Sequence, residues 1–347
     1  MKFWKTAALV LLSFFMSALV IPGNSASAAR EMSPMSFCVA PVKAPIIATY
    51  GASSQVSLRI GYGNMPVGYP YFVAFEKGFF AENGLKAEPV FLMPVNRMAD
   101  ALIADKIDAS APMSLVTLLS IEEKSPGLFK ILCSTSGDLK HFGDRLLVKN
   151  DSPIRDVRQL AGKKIGVIQG TTAIICLKIV LRHWLNPEKD VTLIPMEPRF
   201  HMNALLSGQV DALMASEPLT SILLEKKEAR SILDAPLEKY VMNPFPGAVS
   251  VVSTRYLSRN PEAVRRFSRA MDRAVEYMRT NPAECRKIFS KFTGLPDSTS
   301  NPGQARYWKL VEIDARVLQR FADILLREGV LKKNISIRPL LYRPEEK

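Results

Sequence analysis

The sequence predicts an α/β protein made of two similar βαβαβ units, each a doubly wound, mainly parallel sheet with flanking helices. Three observations carry this. "ALIADKIDASAPMS" at 101–114 returns as "ALLSGQVDALMASEP" at 204–218, so that Ala101 falls on Ala204, Leu102 on Leu205, Asp108 on Asp211 and Ala109 on Ala212. Ile60-Gly61 returns at nearly the same spacing as Ile165-Gly166. Around both echoes apolar strand-like and helix-like segments alternate, the order that builds parallel sheets covered by helices with right-handed crossovers.

The N-terminus stands apart from this pattern. Lys2 and Lys5 precede an apolar run over 7–21, and the small residues "NSASAA" follow, ending at Ala29. That order predicts a cleaved secretory signal over 1–29 and hence a periplasmic protein. The apolar run is shorter than the roughly 20 residues a membrane span needs. A lipid anchor requires a cysteine just after the cleavage site, whereas Cys38 lies further along and follows the bulky Phe37, so no anchor is expected. Residues 30–56, rich in Ser, Pro and Ala, read as a linker.

The remaining elements follow in order. In the first unit "SLRIGYG" is a strand, 69–80 a helix closing on "AENG" with Gly84 as its left-handed cap, "LKAEPVFL" a strand, 96–105 a helix and "IDASAP" a strand. In the second unit they are "KKIGVI", the apolar helix "GTTAIICLKIVLRHWL", "VTLIP", a helix over 200–207 and "VDALMA". "GAVSVVSTRYL" adds one more strand, and helices then dominate. Asn260-Pro261 and Asn281-Pro282 are helix starts, and Val264, Phe267, Met271, Ala274, Val275 and Met278 recur at helical spacing, so one face is buried. A further helix is expected over 302–329, the whole tail packing on the first unit.

Composition narrows the function classes. With 347 residues, 48% hydrophobic and 23% charged, the chain has the make-up of a globular protein of two compact units. Its formal charge is +13, or about +11 once Lys2 and Lys5 are removed. The basic residues are spread along the chain without dense runs among aromatics, so no nucleic-acid partner is expected, although an anionic ligand is permitted. The four cysteines show no C-x-x-C, and three buried thiols with one in the linker is the expected arrangement. There is no G-x-S-x-G, H-E-x-x-H or phosphate-loop pattern, and Gly162-Lys163 lies on the wrong side of its strand for the last. The three histidines are far apart, so neither a metal site nor a catalytic constellation is expected. No cofactor is implied.

In open α/β sheets ligands bind beyond the carboxyl ends of the strands. That rule selects 63–69, 93–96 and 112–114 in the first unit, and 169–172, 196–199 and 216–218 in the second. Met65, Tyr69, Asn96 and Ser114 are the candidate contacts from the first unit, with Met113 as a further apolar wall. Thr171 and Thr172 open a helix after the permissive Gly170 and present free N–H groups to an anion or oxygen acceptor. Arg199 suits a carboxylate or sulfonate. Glu217 suits an amine or N–H donor, which tilts the ligand toward one carrying nitrogen. Asp108 and Asp211 precede their strands, at the opposite end, and are read as structural.

"RIGY", "AFEKGFFAENGLKAEPV", "ALIADKIDA", "LLVKNDSPIRDVRQLAGKKIGVIQGTT" and "ALLSGQVDALMASEP" together resemble the periplasmic substrate-binding proteins of ABC importers, in the nitrate, sulfonate and thiamine-precursor (taurine-like) branch. The resemblance covers roughly 57–290. It implies a two-lobed periplasmic binding protein of type II with the ligand cleft between lobes: lobe 1 from 57–147 plus 248–347, and lobe 2 from 148–247. It implies crossings between lobes near 148–154 and 242–247. The expected role is capture of a small solute by hinge closure and delivery to a membrane permease with its ATPase, by a monomer and not an enzyme. The alternatives within the same resemblance are a ligand-sensing protein acting on a membrane partner, and an enzyme of thiamine-pyrimidine synthesis like the yeast relatives, whose histidine and cysteine-rich loop this chain lacks.

Overall fold

The computed structural model describes residues 56–63, 65–93, 97–294, 297 and 306–344. The expected signal segment, nearly all of the linker, Cys38 and Asn96 lie outside the described residues. Among the described residues no helix is long and apolar enough to cross a membrane.

Among the described residues, eleven strands form two sheets. The first contains β1 (Val56–Tyr62), β2 (Leu85–Phe91), β3 (Ala109–Ser114) and β4 (Phe129–Gly137). The second contains β5 (Asp144–Lys149), β6 (Lys163–Ile168), β7 (Val191–Met196), β8 (Ala212–Ser216) and β9 (Ala229–Asp234). The chain then returns to the first sheet with β10 (Phe245–Ser253) and β11 (Arg306–Trp308). The orders are β11-β4-β10-β3-β1-β2 and β7-β6-β8-β5-β9.

The repeat in the sequence is a repeat in register. Ile60 pairs with Ala109 in the first sheet, and Ile165 pairs with Ala212 in the second, both in parallel. β2-β1-β3 therefore matches β7-β6-β8 strand for strand. Gly61 and Gly166 matter at the same place: a Cβ would lie 2.5 Å from the Ile107 terminal methyl at the first and 2.9 Å from a Leu213 methyl at the second, so any side chain there would have to displace a packed core group. The two aspartates close the match. Asp108 accepts the backbone N–H of Arg59 at 2.8 Å and grips the guanidinium of Arg59 with both oxygens, at 3.0 and 2.7 Å. Asp211 accepts the N–H of Lys164, also at 2.8 Å. Each carboxylate thus pins the third strand of its unit to the first.

Each sheet is mixed. β10 enters the first sheet antiparallel to both its neighbours, β3 and β4, and β5 enters the second antiparallel to β8 and β9, so β4 and β9 run in the same direction as the parallel three. The two reversed strands are the two that arrive from the other sheet, whereas β4 and β9 follow the helices Leu115–Lys124 and Leu219–Glu225 from the third strand of their own unit. The changes of sheet fall at 138–143 and 241–244. The first lies ahead of the 148–154 expected from the sequence, because β5 already pairs with β8 and β9.

Helices cover both faces. Tyr69–Glu76, Phe79–Glu82, Pro261–Thr280 and Pro282–Thr293 bury Phe72, Phe80, Phe267 and Phe289 with Leu58 and Ile60 of β1. The expected single helix over 69–80 is broken at Gly78, whose φ of 72° lies in the left-handed region. Ala315–Arg327 lies on the other face, in an apolar layer that runs on through Leu146 and Val148 to the helix Thr171–Leu181. The tail differs from expectation at 306–308, where an edge strand precedes that helix. Asn260 caps no N–H with its side chain; the helix start rests on Pro261.

Replacing Asp108 strands a backbone N–H and a partly exposed guanidinium, so Asp108→Ala should cost about 2–3 kcal/mol and Asp211→Ala about 1 kcal/mol. Urea denaturation of the two variants checks the order, and an equal or reversed cost would refute this reading of the pair.

Candidate functional site

The registers place particular residues on one edge of each sheet. In the first, Tyr62 lies opposite Phe91, Ser114 opposite Ala248, and Gly137 opposite Phe245. In the second, Ile168 lies opposite Met196, Asp144 opposite Ser216, and Arg145 opposite Asp234. Because β5 and β10 run antiparallel to their neighbours, both enter their sheets at these edges, with the connections 138–143 and 241–244 just before them. The edges meet: the hydroxyls of Ser114 and Thr172 are 3.1 Å apart, one from the end of β3 and the other from the first turn of the helix Thr171–Leu181.

Of the residues expected to touch a ligand, Ser114 and Thr172 are thus brought together, both half-buried, with Thr171 exposed beside them. Gly170 holds φ 133°, and no side chain caps this helix. Met65 is half-buried in the loop after β1, where its carbonyl accepts the N–H of Gly68. Tyr69 corrects the expectation of an open apolar wall. It is 2% exposed and its ring stacks on Phe289 and Tyr307, because the helix Pro282–Thr293 and β11 close over it. Burial, and after it the Glu217 carboxylate, raise its hydroxyl pKa. Arg199 is exposed, paired to Glu197 at 2.9 Å and stacked over Phe200.

Glu217 is not a free carboxylate. Its Oε1 accepts from Arg145 at 3.0 Å and its Oε2 accepts the N–H of Ser221. Arg145 also donates to Asp234 at 3.1 Å and lies over the Phe142 ring. Beside them the Ser216 hydroxyl donates to Asp144. Burial pushes Asp144 up to about 6; the Ser216 bond opposes this, Glu217 adds to it and Arg145 opposes it. Glu238, 4% exposed, is pushed up to about 8 by burial and by the nearby Asp144 and Asp138 carboxylates. On the first sheet's side, Arg306 binds Asp138 at 2.6 Å, and Asp138 holds His141 at 2.9 Å.

A family model described as NMT1/THI5 like matches residues 66–285. The chain belongs to this family. A protein of Bacillus subtilis (strain 168) named for binding aliphatic sulfonates is 26% identical over 284 residues, covering 78% of this chain and 82% of its own. The 4-amino-5-hydroxymethyl-2-methylpyrimidine phosphate synthase THI5 of Saccharomyces cerevisiae is 25% identical over 255 residues, 70% of this chain and 72% of that one. The periplasmic aliphatic sulphonate binding protein SsuA from Escherichia coli superposes with a TM-score of 0.68 at 20% identity, covering 85% of this chain and 94% of that one. The NMT1/THI5-like chain has the two-lobed α/β fold of the periplasmic binding proteins.

Asp144, Arg145 and Glu238 of this NMT1/THI5-like protein carried no local signal. Asp144 and Arg145 stand in a segment that reads as the end of the first unit, and Glu238 in one that reads as a connection. Only the pairing of β5 places the first two at the edge.

Both Asp144 and Glu238 hold protons more tightly folded than unfolded, where their ordinary values are 3.8 and 4.5. Their contribution to stability is therefore complete below about pH 4 and is lost as pH rises through 6 and then 8. The slope that this pair adds to the melting temperature is downward between about pH 5 and 8, and Glu238→Gln should remove the upper half of it. Calorimetry across that range tests this; a variant profile parallel to that of the parent would count against it.

Proposed function

We propose that this NMT1/THI5-like protein is the extracytoplasmic solute-binding component of an ABC-type importer. In this reading the two sheets are two lobes, a small organic or anionic solute (a sulfonate, nitrate or a pyrimidine-like thiamine precursor) is captured between their edges, and the lobes close by bending at 138–143 and 241–244. The closed, monomeric form then presents the solute to a membrane permease and its ATPase in the periplasm. The observation that carries the reading is the meeting of Ser114 and Thr172, which puts strand-end groups of both sheets within reach of one small molecule. A solute drives closure only through contacts with both lobes. The sulfonate-binding relative supports a binding role.

Thiol chemistry also favours binding over a synthase role. Burial pushes Cys133 and Cys176 up to about 12 and Cys285 up to about 11, so all three are held as unreactive thiols.

The test is thermal unfolding and small-angle scattering of residues 30–347 with aliphatic sulfonates, nitrate and pyrimidines. A true solute at 100 times its Kd adds about 2.7 kcal/mol to stability and should reduce the radius of gyration. Turnover of a pyrimidine precursor, or a folded protein indifferent to every class, would overturn the proposal. Ser114→Ala and Thr172→Val should each cost about 1 kcal/mol of closure, with the double variant no worse than either alone.

A further inference from the structure

The charges around the proposed cleft do not cancel. Arg145 is shared by Glu217 and Asp234, Arg306 is taken by Asp138, and Arg199 by Glu197. Among the described residues this leaves Asp144 with a hydroxyl for a partner and no ion pair. It leaves Glu238 with less still: the Oε2 atom is buried and has no hydrogen-bond partner at all. A buried carboxyl oxygen without a donor is costly, and such exceptions call for a missing partner.

The backbone makes room for this carboxyl. A Cβ on Gly137, the last residue of β4, would lie 3.0 Å from the Glu238 Cδ, so the group rests against the cleft end of the first sheet while its own helix, Pro236–Tyr240, packs on the second. At the other end of the same connection Gly143 lies against the Glu217 side chain. Glu238 thus lies between the end of β4 and the second sheet, near enough to Asp144 for that carboxylate to raise its pKa. Among the described residues no three His, Cys, Asp or Glu side chains are grouped so as to hold a metal ion.

We infer that Asp144 and Glu238 seat a protonated nitrogen of the solute, which is an amine, an amidine or a protonated N-heterocycle, alone or as the cationic end of a zwitterion. This inference rests on the binding role proposed above and moves nitrogen recognition from Glu217, which Arg145 occupies, to these two buried carboxyls. A cationic nitrogen arriving here would lower the Glu238 pKa and displace the proton held in its absence, and its charge-assisted bonds would then satisfy Oε2 and draw the two lobes together.

Matched probes test it by calorimetric titration and thermal shift: 2-aminoethanesulfonate against ethanesulfonate, 4-(aminomethyl)pyrimidine against 4-methylpyrimidine, and benzamidine against benzamide. In the unaltered protein the nitrogen-bearing member of at least one pair should bind tenfold or more tightly than its partner, a comparison that needs no variant. Glu238→Gln and Asp144→Asn should each abolish that preference. Equal binding of both members, unchanged in either variant, would overturn this inference and leave the solute-binding role intact. No binding by any member would overturn this inference, and the solute-binding role would then stand or fall with the wider panel above.

Discussion

Each sheet is completed by a strand that comes from the other. β5 and β10 both lie beside the third strand of a parallel triplet, both run antiparallel to it, and both begin at the same edge. That constraint fixes where the chain crosses and what is found there. A crossing that entered at the far edge would put its connection beside Asp108 and Asp211, where the carboxylates are already spent on backbone and Arg59. Entering at the near edge, it delivers Asp138, His141, Asp144 and Arg145 to the strand ends that the open-sheet rule marks for ligands.

The same constraint explains how the apolar interior is shared. One face of each sheet has its own cluster, but the other faces belong to a common layer in which Phe245 meets Phe321 edge to face. The helix ending at Leu181 and the one ending at Arg327 are further joined by Arg182 and Glu328. Stability is thus concentrated behind the edges, and the edges themselves are held by few bonds. The Ser114 and Thr172 contact is a single neutral hydrogen bond, of order 1 kcal/mol.

What could be read from the sequence was whatever repeats. Ile60-Gly61 with Asp108, and Ile165-Gly166 with Asp211, specify two parallel triplets because glycine and a strand-pinning carboxylate are needed in both. The loops after those strands followed, and with them Ser114 and Thr172. The strands β4, β5 and β9 have no echo in the sequence; "FKILCSTSG" is buried almost throughout and shows no alternation to mark it. Tyr69 was misplaced because its local setting, a strand end, says nothing of the helix Pro282–Thr293 that covers it from more than two hundred residues away. Glu238 was missed for the converse reason: its significance lies in Gly137 and Asp144, which only the folded chain brings near.

The two crossings have a mechanical consequence. Two bodies joined at one point can swing and twist in three ways; joined at two points, they keep a single freedom, rotation about the line between them. With its connections at 138–143 and 241–244, this molecule leaves its two sheets one angle by which to move against each other, and on the role proposed above that angle is all a membrane partner would have to follow.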